Sequence, residues 1–224
     1  MGELLQVSGA DEGVVTMVLD RPAKKNALSV AVREEVCDAL DTLASDEQVR
    51  VVVLAAAGDT FCAGFDLGEF SVQDPDFQRR LWQSADRFHR AVLTFPLPIV
   101  AAVQGPALAG GFDLAVMCDI RVAATDARFG HPEQTWSDVV FSPLADIVGS
   151  GPARDLCLTG RTIDAAEALR IGLVSAVVKP GVLSGEAART AALVARGPRD
   201  ALMRTKAKAM RRAGNPPDAE TLEL

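Results

Sequence analysis

Apolar residues recur along the first half of the chain at two alternating spacings. Short runs rich in Val, Leu and Ala predict strands at 14–19, 51–56, 99–103 and 120–124. Between them the apolar positions step by three or four residues, which predicts helices that begin after Ser29, cover 77–92, and run from Gly110 to about Met117. This alternation predicts an α/β fold with a mostly parallel sheet buried on both faces.

The pattern changes after residue 150, where helices predominate. Helical spacing predicts helices at 153–158, 164–170, 182–195 and 198–212, with one strand at 174–178. We expect a core over residues 1–197, which includes the first of these C-terminal helices. A C-terminal helix and a mobile tail are expected over residues 198–224, because the tail from Asn215 carries two prolines and several acids.

The composition narrows the range of functions. The net charge of −7 disfavours binding to nucleic acid or to an anionic membrane surface, since both require clustered positive charge. The apolar stretches are too short to cross a bilayer, and the N-terminus lacks the basic and apolar regions of a signal peptide. A cytoplasmic protein is therefore expected.

Few residues are available for a metal site. The cysteines lie far apart, form no CxxC pair, and are expected to be buried and reduced (Cys37, Cys62, Cys118 and Cys157). Of the two histidines, His89 lies on a polar helix face and is expected to be solvated. His131 is an alternative base, although a loop histidine beside a proline is more often structural. No metal is expected.

Two turns of small residues each follow a predicted strand. They are residues 61–67 (FCAGFDL) and residues 105–111 (GPALAGG). Small side chains let a backbone N–H reach a ligand, and the N–H groups that open a helix have no intrahelical acceptor. Two such donors that converge on one oxygen form an oxyanion hole, whereas either turn alone is more often an ordinary connection. Neither turn has the spacing of a phosphate-binding loop.

Two acids lie close to these turns in the sequence. Asp113 is in the first turn of the helix that Gly110 opens, and Glu133 follows His131 and Pro132. Considered alone, Asp113 is more simply interpreted as an acid that stabilises the helix dipole. Glu133 alone is more simply interpreted as a solvent-exposed acid in a loop. Beside an oxyanion hole the two would form an acid/base pair, in which burial keeps one carboxyl protonated.

In this order the motifs resemble those of the crotonase family, the enoyl-CoA hydratase/isomerase proteins. The resemblance runs from Val14 to about Met210 and is carried by segments 19–29 (LDRPAKKNALS), 61–67, 98–119, 129–133 (FGHPE), 158–160 and 165–174. It implies a spiral of ββα repeats with helical C-terminal elements. It also implies an acyl-CoA substrate, no separate cofactor, and a homotrimer or hexamer.

The same resemblance assigns roles to individual residues. The oxyanion hole is implied at the backbone N–H groups of Phe65 and Gly110, and the catalytic acids at Asp113 and Glu133. The twenty residues between these acids match the spacing in hydratases. Coenzyme A contacts are implied at Lys24, near the phosphates, and at Ala27, Ala63, Asp66, Leu67 and Gly68. Trp136 is expected in the acyl pocket.

The chain departs from the family pattern at several places, including the C-terminal part at residues 198–224, which is short relative to the family. Asp113 stands where hydratases typically have Glu, Phe65 stands where Ala is common, and the loop after Glu133 is short and poor in glycine. The implied function is an enoyl-CoA hydratase or isomerase that stabilises a thioester enolate. The alternatives are an acyl-CoA decarboxylase or thioester hydrolase of the same family, and a non-catalytic acyl-CoA-binding protein.

Overall fold

The protein contains two β-sheets covered by helices, as described for residues 4–213 by a computed structural model. The larger sheet has the strand order β1-β2-β3-β4-β6-β9, and the smaller has the order β5-β7-β8. In the larger sheet only β1 runs antiparallel to its neighbour. The strands are β1 (Leu5–Val7), β2 (Val14–Leu19), β3 (Val51–Ala56), β4 (Ile99–Val103), β5 (Pro106–Leu108), β6 (Ile120–Ala124), β7 (Arg128–Gly130), β8 (Ile163–Asp164) and β9 (Ala176–Val178).

The helices connect these strands and cover the sheets. They are α1 (Val30–Ser45), α2 (Leu67–Phe70), α3 (Pro75–Thr94), α4 (Gly110–Met117), α5 (Ser142–Val148), α6 (Ser150–Thr159), α7 (Ala165–Arg170), α8 (Leu183–Ala195) and α9 (Arg199–Ala213). Short 3₁₀ turns occupy Pro22–Lys24, Pro132–Thr135 and Pro180–Val182. As predicted, Ser29 caps α1 by accepting a hydrogen bond from the Val32 N–H.

The larger sheet is buried on both faces, as its continuous apolar strands predict. In β3, Val51 and Val53 face a cluster that includes Ala187 and Ala191 of α8. Val52 and Leu54 point the other way, into the main core beneath α1 and α3. Successive residues of a strand face opposite sides, so a strand covered on both sides must be apolar at every position.

Helix α9 packs on the core through two cations. Buried Lys206 donates through Nζ to the Leu97 carbonyl (3.0 Å) and to Asp119 Oδ2 (2.7 Å). Arg199 donates to the carbonyls of Ala44 (2.7 Å) and Val49 (3.0 Å). The predicted mobile tail lies outside the described residues. Within residues 4–213, no helix has both the length and the apolar character needed to cross a membrane.

Candidate active site

The two small-residue turns lie against each other. The Leu108 N–H donates to the Cys62 carbonyl (3.0 Å), and the Cys62 N–H donates to the Pro106 carbonyl (3.2 Å). Gly64 has a φ of +97°, and a Cβ at this position would lie 2.7 Å from Ala109 Cβ and 3.3 Å from the Gly110 nitrogen. Only glycine fits at residue 64, and its absent side chain allows the second turn to approach.

This contact brings the two predicted oxyanion donors together. Among residues 4–213 the structure shows no hydrogen-bond acceptor for the N–H of Phe65 or of Gly110. Gly110 is the first residue of α4, so its N–H has no intrahelical acceptor. The Phe65 nitrogen lies 3.7 Å from the point that a Cβ on Gly110 would occupy. The N–H groups of Phe65 and Gly110, which have no acceptor among the described residues, are therefore neighbours on one wall of the site.

The predicted acids meet around a histidine. His131 Nδ1 lies 3.1 Å from Glu133 Oε1 and 3.7 Å from Asp113 Oδ1, and all three side chains are buried. The Ala109 N–H donates to the Gly130 carbonyl (2.9 Å), which joins the start of α4 to the end of β7 and so sets the spacing of the three groups. Within this cluster, three buried side-chain atoms have no hydrogen-bond partner among the described residues: His131 Nε2, Asp113 Oδ1 and Glu133 Oε2.

Burial and mutual charge shift the protonation of this cluster. Burial raises the pKa of Asp113 to about 7, with the Glu133 charge adding to the rise and His131 opposing it. For His131, burial lowers the pKa, but the hydrogen bond to Glu133 and the charges of both acids outweigh it and raise the pKa above its ordinary value. A proton is therefore exchangeable in this cluster near neutral pH, which suits general acid/base chemistry.

The same cluster has the donor set of a metal site. One ligand atom from each of Asp113, His131 and Glu133 lies within 4.8 Å of the others. Carboxylate and imidazole groups at this spacing bind divalent ions in many proteins. The sequence predicts no metal here, and that stays a prediction.

A cavity of about 280 Å³ opens over these groups. Its lining contains both oxyanion donors, Phe65 and Gly110, both acids, Asp113 and Glu133, and the predicted pocket residue Trp136. The loop that follows Glu133 forms one side of it, through residues 136–140. The structure thus places around one space the residues that the sequence assigned to the oxyanion hole, acid/base pair and acyl pocket.

The residues predicted to contact coenzyme A lie on two joined segments at one edge of this cavity. The Ala63 N–H donates to the Lys25 carbonyl (3.0 Å), and the Leu28 N–H donates to the Gly64 carbonyl (2.8 Å). Of the six predicted residues, Ala63 and Leu67 line the cavity. The other four are not part of the lining: Asp66 and Gly68 are on the same segment as Ala63 and Leu67, and Lys24 and Ala27 are on the segment joined to it.

Asp66 has partners within the protein. It pairs with Arg21 at 2.7 Å, which holds the pKa of the Asp66 carboxyl below its usual value. Its other oxygen accepts from the Gly68 N–H (3.1 Å) and caps α2. The Asp66 side chain therefore joins the two segments, and its predicted contact with coenzyme A stays a prediction.

The prediction for His89 is wrong. This residue is fully buried and lines the cavity, with ring centroids 6.0 Å from Phe65 and 5.7 Å from Phe88. Burial lowers the pKa of His89 to about 4, and the Arg33 charge adds to the effect, so the imidazole is neutral at pH 7. Phe65, in the turn at residues 61–67, packs against this face of α3. The spacing of apolar residues within α3 does not indicate that contact.

The bulk of Phe65 is accommodated beside the predicted oxyanion hole. Its ring stacks with Phe70 (centroids 6.4 Å apart), and the buried Arg33 guanidinium lies 4.5 Å from its centroid. Arg33 is held by the Leu28 carbonyl (3.2 Å) and Ser84 Oγ (2.7 Å). A Cβ on Gly110 would lie 2.9 Å from the Phe65 ring, so the ring also requires a small residue there.

Sequence reasoning missed three contributors to the site. His131 appeared only as an alternative base, and Phe70 and Trp82 received no role. For His131 a signal existed: it lies two residues beyond buried Phe129 at the end of a strand, and alternate residues share a face. Phe70 and Trp82 reach the cavity through the packing of α2 and α3, and the sequence carries no such signal for them.

Comparison with known proteins connects this geometry to a family. A family model described as enoyl-CoA hydratase/isomerase matches residues 9–224. The chain belongs to the enoyl-CoA hydratase/isomerase family. This confirms the resemblance to the crotonase family, whose members are lyases and isomerases.

Individual relatives agree with this assignment. A putative enoyl-CoA hydratase of Thermus thermophilus is 38% identical over 86% of this chain and 79% of its own length. A short-chain-enoyl-CoA hydratase of Clostridium acetobutylicum is 36% identical over 83% of this chain and 73% of its own. The crystal structure of an enoyl-CoA hydratase from Mycobacterium smegmatis superposes with a TM-score of 0.87 at 35% identity, over 96% of this chain and 85% of that one. The predicted crotonase fold is confirmed.

Proposed function

We propose that this family member is an enoyl-CoA hydratase or isomerase that uses a backbone oxyanion hole and a carboxylate acid/base pair. One observation carries the proposal. Two N–H groups without acceptors among residues 4–213 line the same cavity as Asp113 and Glu133, the two acids of the buried cluster that they form with His131. The relatives described above are named as hydratases, which supports the same chemistry.

The oxyanion hole would act on the thioester carbonyl. Its oxygen accepts hydrogen bonds from the N–H groups of Phe65 and Gly110, which stabilise the negative charge of the enolate. Because the donors are fixed by the backbone before substrate arrives, they need no reorganisation during the reaction. Loss of one donor of this kind typically costs about 3 kcal/mol of transition-state stabilisation.

The carboxylates would move the protons. In hydration, Glu133 takes a proton from water held by Asp113, the water oxygen bonds to the β-carbon, and the proton is delivered to the α-carbon. In isomerisation, one carboxylate moves a proton between two carbons of the acyl chain. His131 positions Glu133, because its Nδ1 contacts the Glu133 carboxylate.

Substrate binding and assembly complete the proposal. The coenzyme A part of the substrate would lie along Lys24, Ala27 and residues 63–68, and no separate cofactor is needed. A homotrimer or hexamer would cover apolar side chains outside the cavity that are exposed in the single chain, such as Leu158 and Leu193. Light scattering that gives a monomer at micromolar concentration would contradict this assembly.

The test of the reaction is Glu133→Gln, assayed by loss of the enoyl absorbance of crotonyl-CoA. The amide keeps the shape of the side chain but cannot take a proton, so we expect activity to fall by about 10²–10⁴-fold with thioester binding nearly unchanged. Glu47→Gln, which changes an exposed acid of the same type, is the matched control. Wild-type turnover by Glu133→Gln would place the base elsewhere.

Product analysis separates the alternatives. Free coenzyme A released without hydration would indicate a thioester hydrolase, and carbon dioxide released from a carboxyacyl-CoA would indicate a decarboxylase. Tight binding of acyl-CoA without turnover of any thioester would indicate a non-catalytic binding protein.

A further inference from the structure

Aromatic residues are scarce in this chain but concentrated around the cavity. The sequence contains nine Phe, two Trp and no Tyr. Both tryptophans, Trp82 and Trp136, line the cavity together with Phe65 and Phe70. The aromatic character of this lining is therefore far above that of the whole chain.

Three of these rings form a continuous chain of contacts. The ring centroids of Phe65 and Phe70 lie 6.4 Å apart at 18°, and those of Phe70 and Trp82 lie 6.0 Å apart at 74°. These are the stacked and edge-on arrangements that aromatic pairs prefer. The His89 ring also stacks with Phe65, at 6.0 Å and 26°. All four of these rings line the cavity, so a ligand that enters it would lie among aromatic side chains.

The rim of the cavity leaves large apolar side chains in water. Trp136 is 64% exposed, Leu67 is 66% exposed and Trp82 is 37% exposed. A ligand that enters the cavity would cover these side chains. Among the described residues that line it, none is Lys or Arg, and three are acids: the buried Asp113 and Glu133 and the exposed Asp138. An acyl group with a distal carboxylate therefore has no cationic partner here, whereas an uncharged ring is suited to the lining.

We infer that the cavity selects an aromatic acyl group, with an aryl ring on the β-carbon of the thioester, over a linear or saturated cyclic one. The inference rests on the proposed function for the identity of the thioester. A planar ring adds stacking and edge contacts to the burial of apolar area, whereas an alkyl group gains burial alone.

Binding of saturated thioesters tests this without any reaction. The probes are 3-phenylpropanoyl-CoA, 3-cyclohexylpropanoyl-CoA and nonanoyl-CoA, which have the same number of acyl carbons and no double bond to hydrate or move. Tryptophan fluorescence reports their binding, because both tryptophans line the cavity. We expect the phenyl compound to bind about five- to tenfold more tightly than the other two. Equal affinity for all three would overturn the inference.

A ring variant separates stacking from simple packing. Trp82→Leu keeps an apolar side chain but removes the ring, so the preference for phenyl over cyclohexyl should disappear while cyclohexyl affinity changes less than about twofold. Trp82→Phe should restore the preference. Phe77→Leu, on the same helix but outside the lining, is the matched control and should leave it unchanged. Equal weakening of both thioesters by Trp82→Leu would show packing only and overturn the inference.

Different experimental results would contradict the inference and the proposed function. If the phenyl preference is present but no enoyl-CoA is turned over, the proposed reaction is wrong and the acyl assignment stands. If cinnamoyl-CoA and its linear analogue are hydrated with equal kcat/KM and the saturated probes show no preference, the reaction stands and the acyl assignment is wrong.

Discussion

The two sides of the cavity are built differently. One side, the turn wall, consists of residues 61–65 and 105–113 and has no space for larger side chains at its glycines. A Cβ on Gly111 would lie 2.2 Å from the Cys62 carbonyl oxygen, and a Cβ on Gly105 would lie 1.9 Å from the Asp59 carbonyl oxygen. The loop wall, residues 134–141, instead leaves Trp136 largely exposed. Catalytic donors need fixed positions, whereas acyl recognition tolerates variation, so the proposed chemistry lies on the rigid side.

The largest effect is expected where the turn wall is tightest. Gly111→Ala forces a methyl group into backbone atoms, which cannot move without separating the two turns. We expect a loss of about 3 kcal/mol or more in the free energy of unfolding, measured by chemical denaturation. Gly185→Ala on α8, where a Cβ meets nothing within 4 Å, is the control. Wild-type stability of Gly111→Ala would show that this wall is not rigid.

His131→Gln tests whether the histidine contributes charge or only shape. The positive charge of His131 opposes the rise in the pKa of Asp113, so its removal lets the Asp113 carboxyl keep a proton to higher pH. We expect the acidic limb of the kcat/KM profile to move up by about one pH unit, which lowers activity near pH 7 by about tenfold. Activity should recover at alkaline pH. An equal loss at every pH would indicate a purely structural role.

Asp113→Asn should change stability in a pH-dependent way. The pKa of Asp113 is about 7 in the folded protein against an ordinary value of 3.8, so the folded state binds the extra proton between these limits. Stability from this group is therefore present at low pH and lost as pH rises through about 7. We expect the variant to be more stable than wild type by at least about 1 kcal/mol at pH 8, which corresponds to at least about 2–4 °C in Tm, and to lose this advantage at pH 4. A pH-independent difference would contradict this.

The smallest effect on stability is expected in the loop wall. Trp136→Ala removes a side chain that is 64% exposed, so the free energy of unfolding should change by less than about 0.5 kcal/mol. Affinity for 3-phenylpropanoyl-CoA should still fall several-fold, as measured by calorimetry. Destabilisation as large as that of Gly111→Ala would remove the contrast between the two walls.

Secondary structure was predictable where the pattern was long. The strand predictions at 14–19 and 51–56 are confirmed at both ends, because six residues are enough to show a β-type pattern. The short strands β1, β5, β7 and β8 were missed, since two or three residues carry no periodicity. Helices α2, of four residues, and α5, of seven residues, were missed as well, whereas α7, of six residues, was predicted. The last strand begins at Ala176 and not at residue 174.

The sequence by itself determined the family, the order of the main elements, and the turns and acids of the proposed site, because each depends on residues close together in the chain. Tertiary structure alone decided that His131 contacts both Asp113 and Glu133, and that His89 is buried. It also decided that both tryptophans line one cavity. These contacts join elements that lie far apart in the sequence, and they depend on how α3, α4 and β7 pack, which local spacing does not encode.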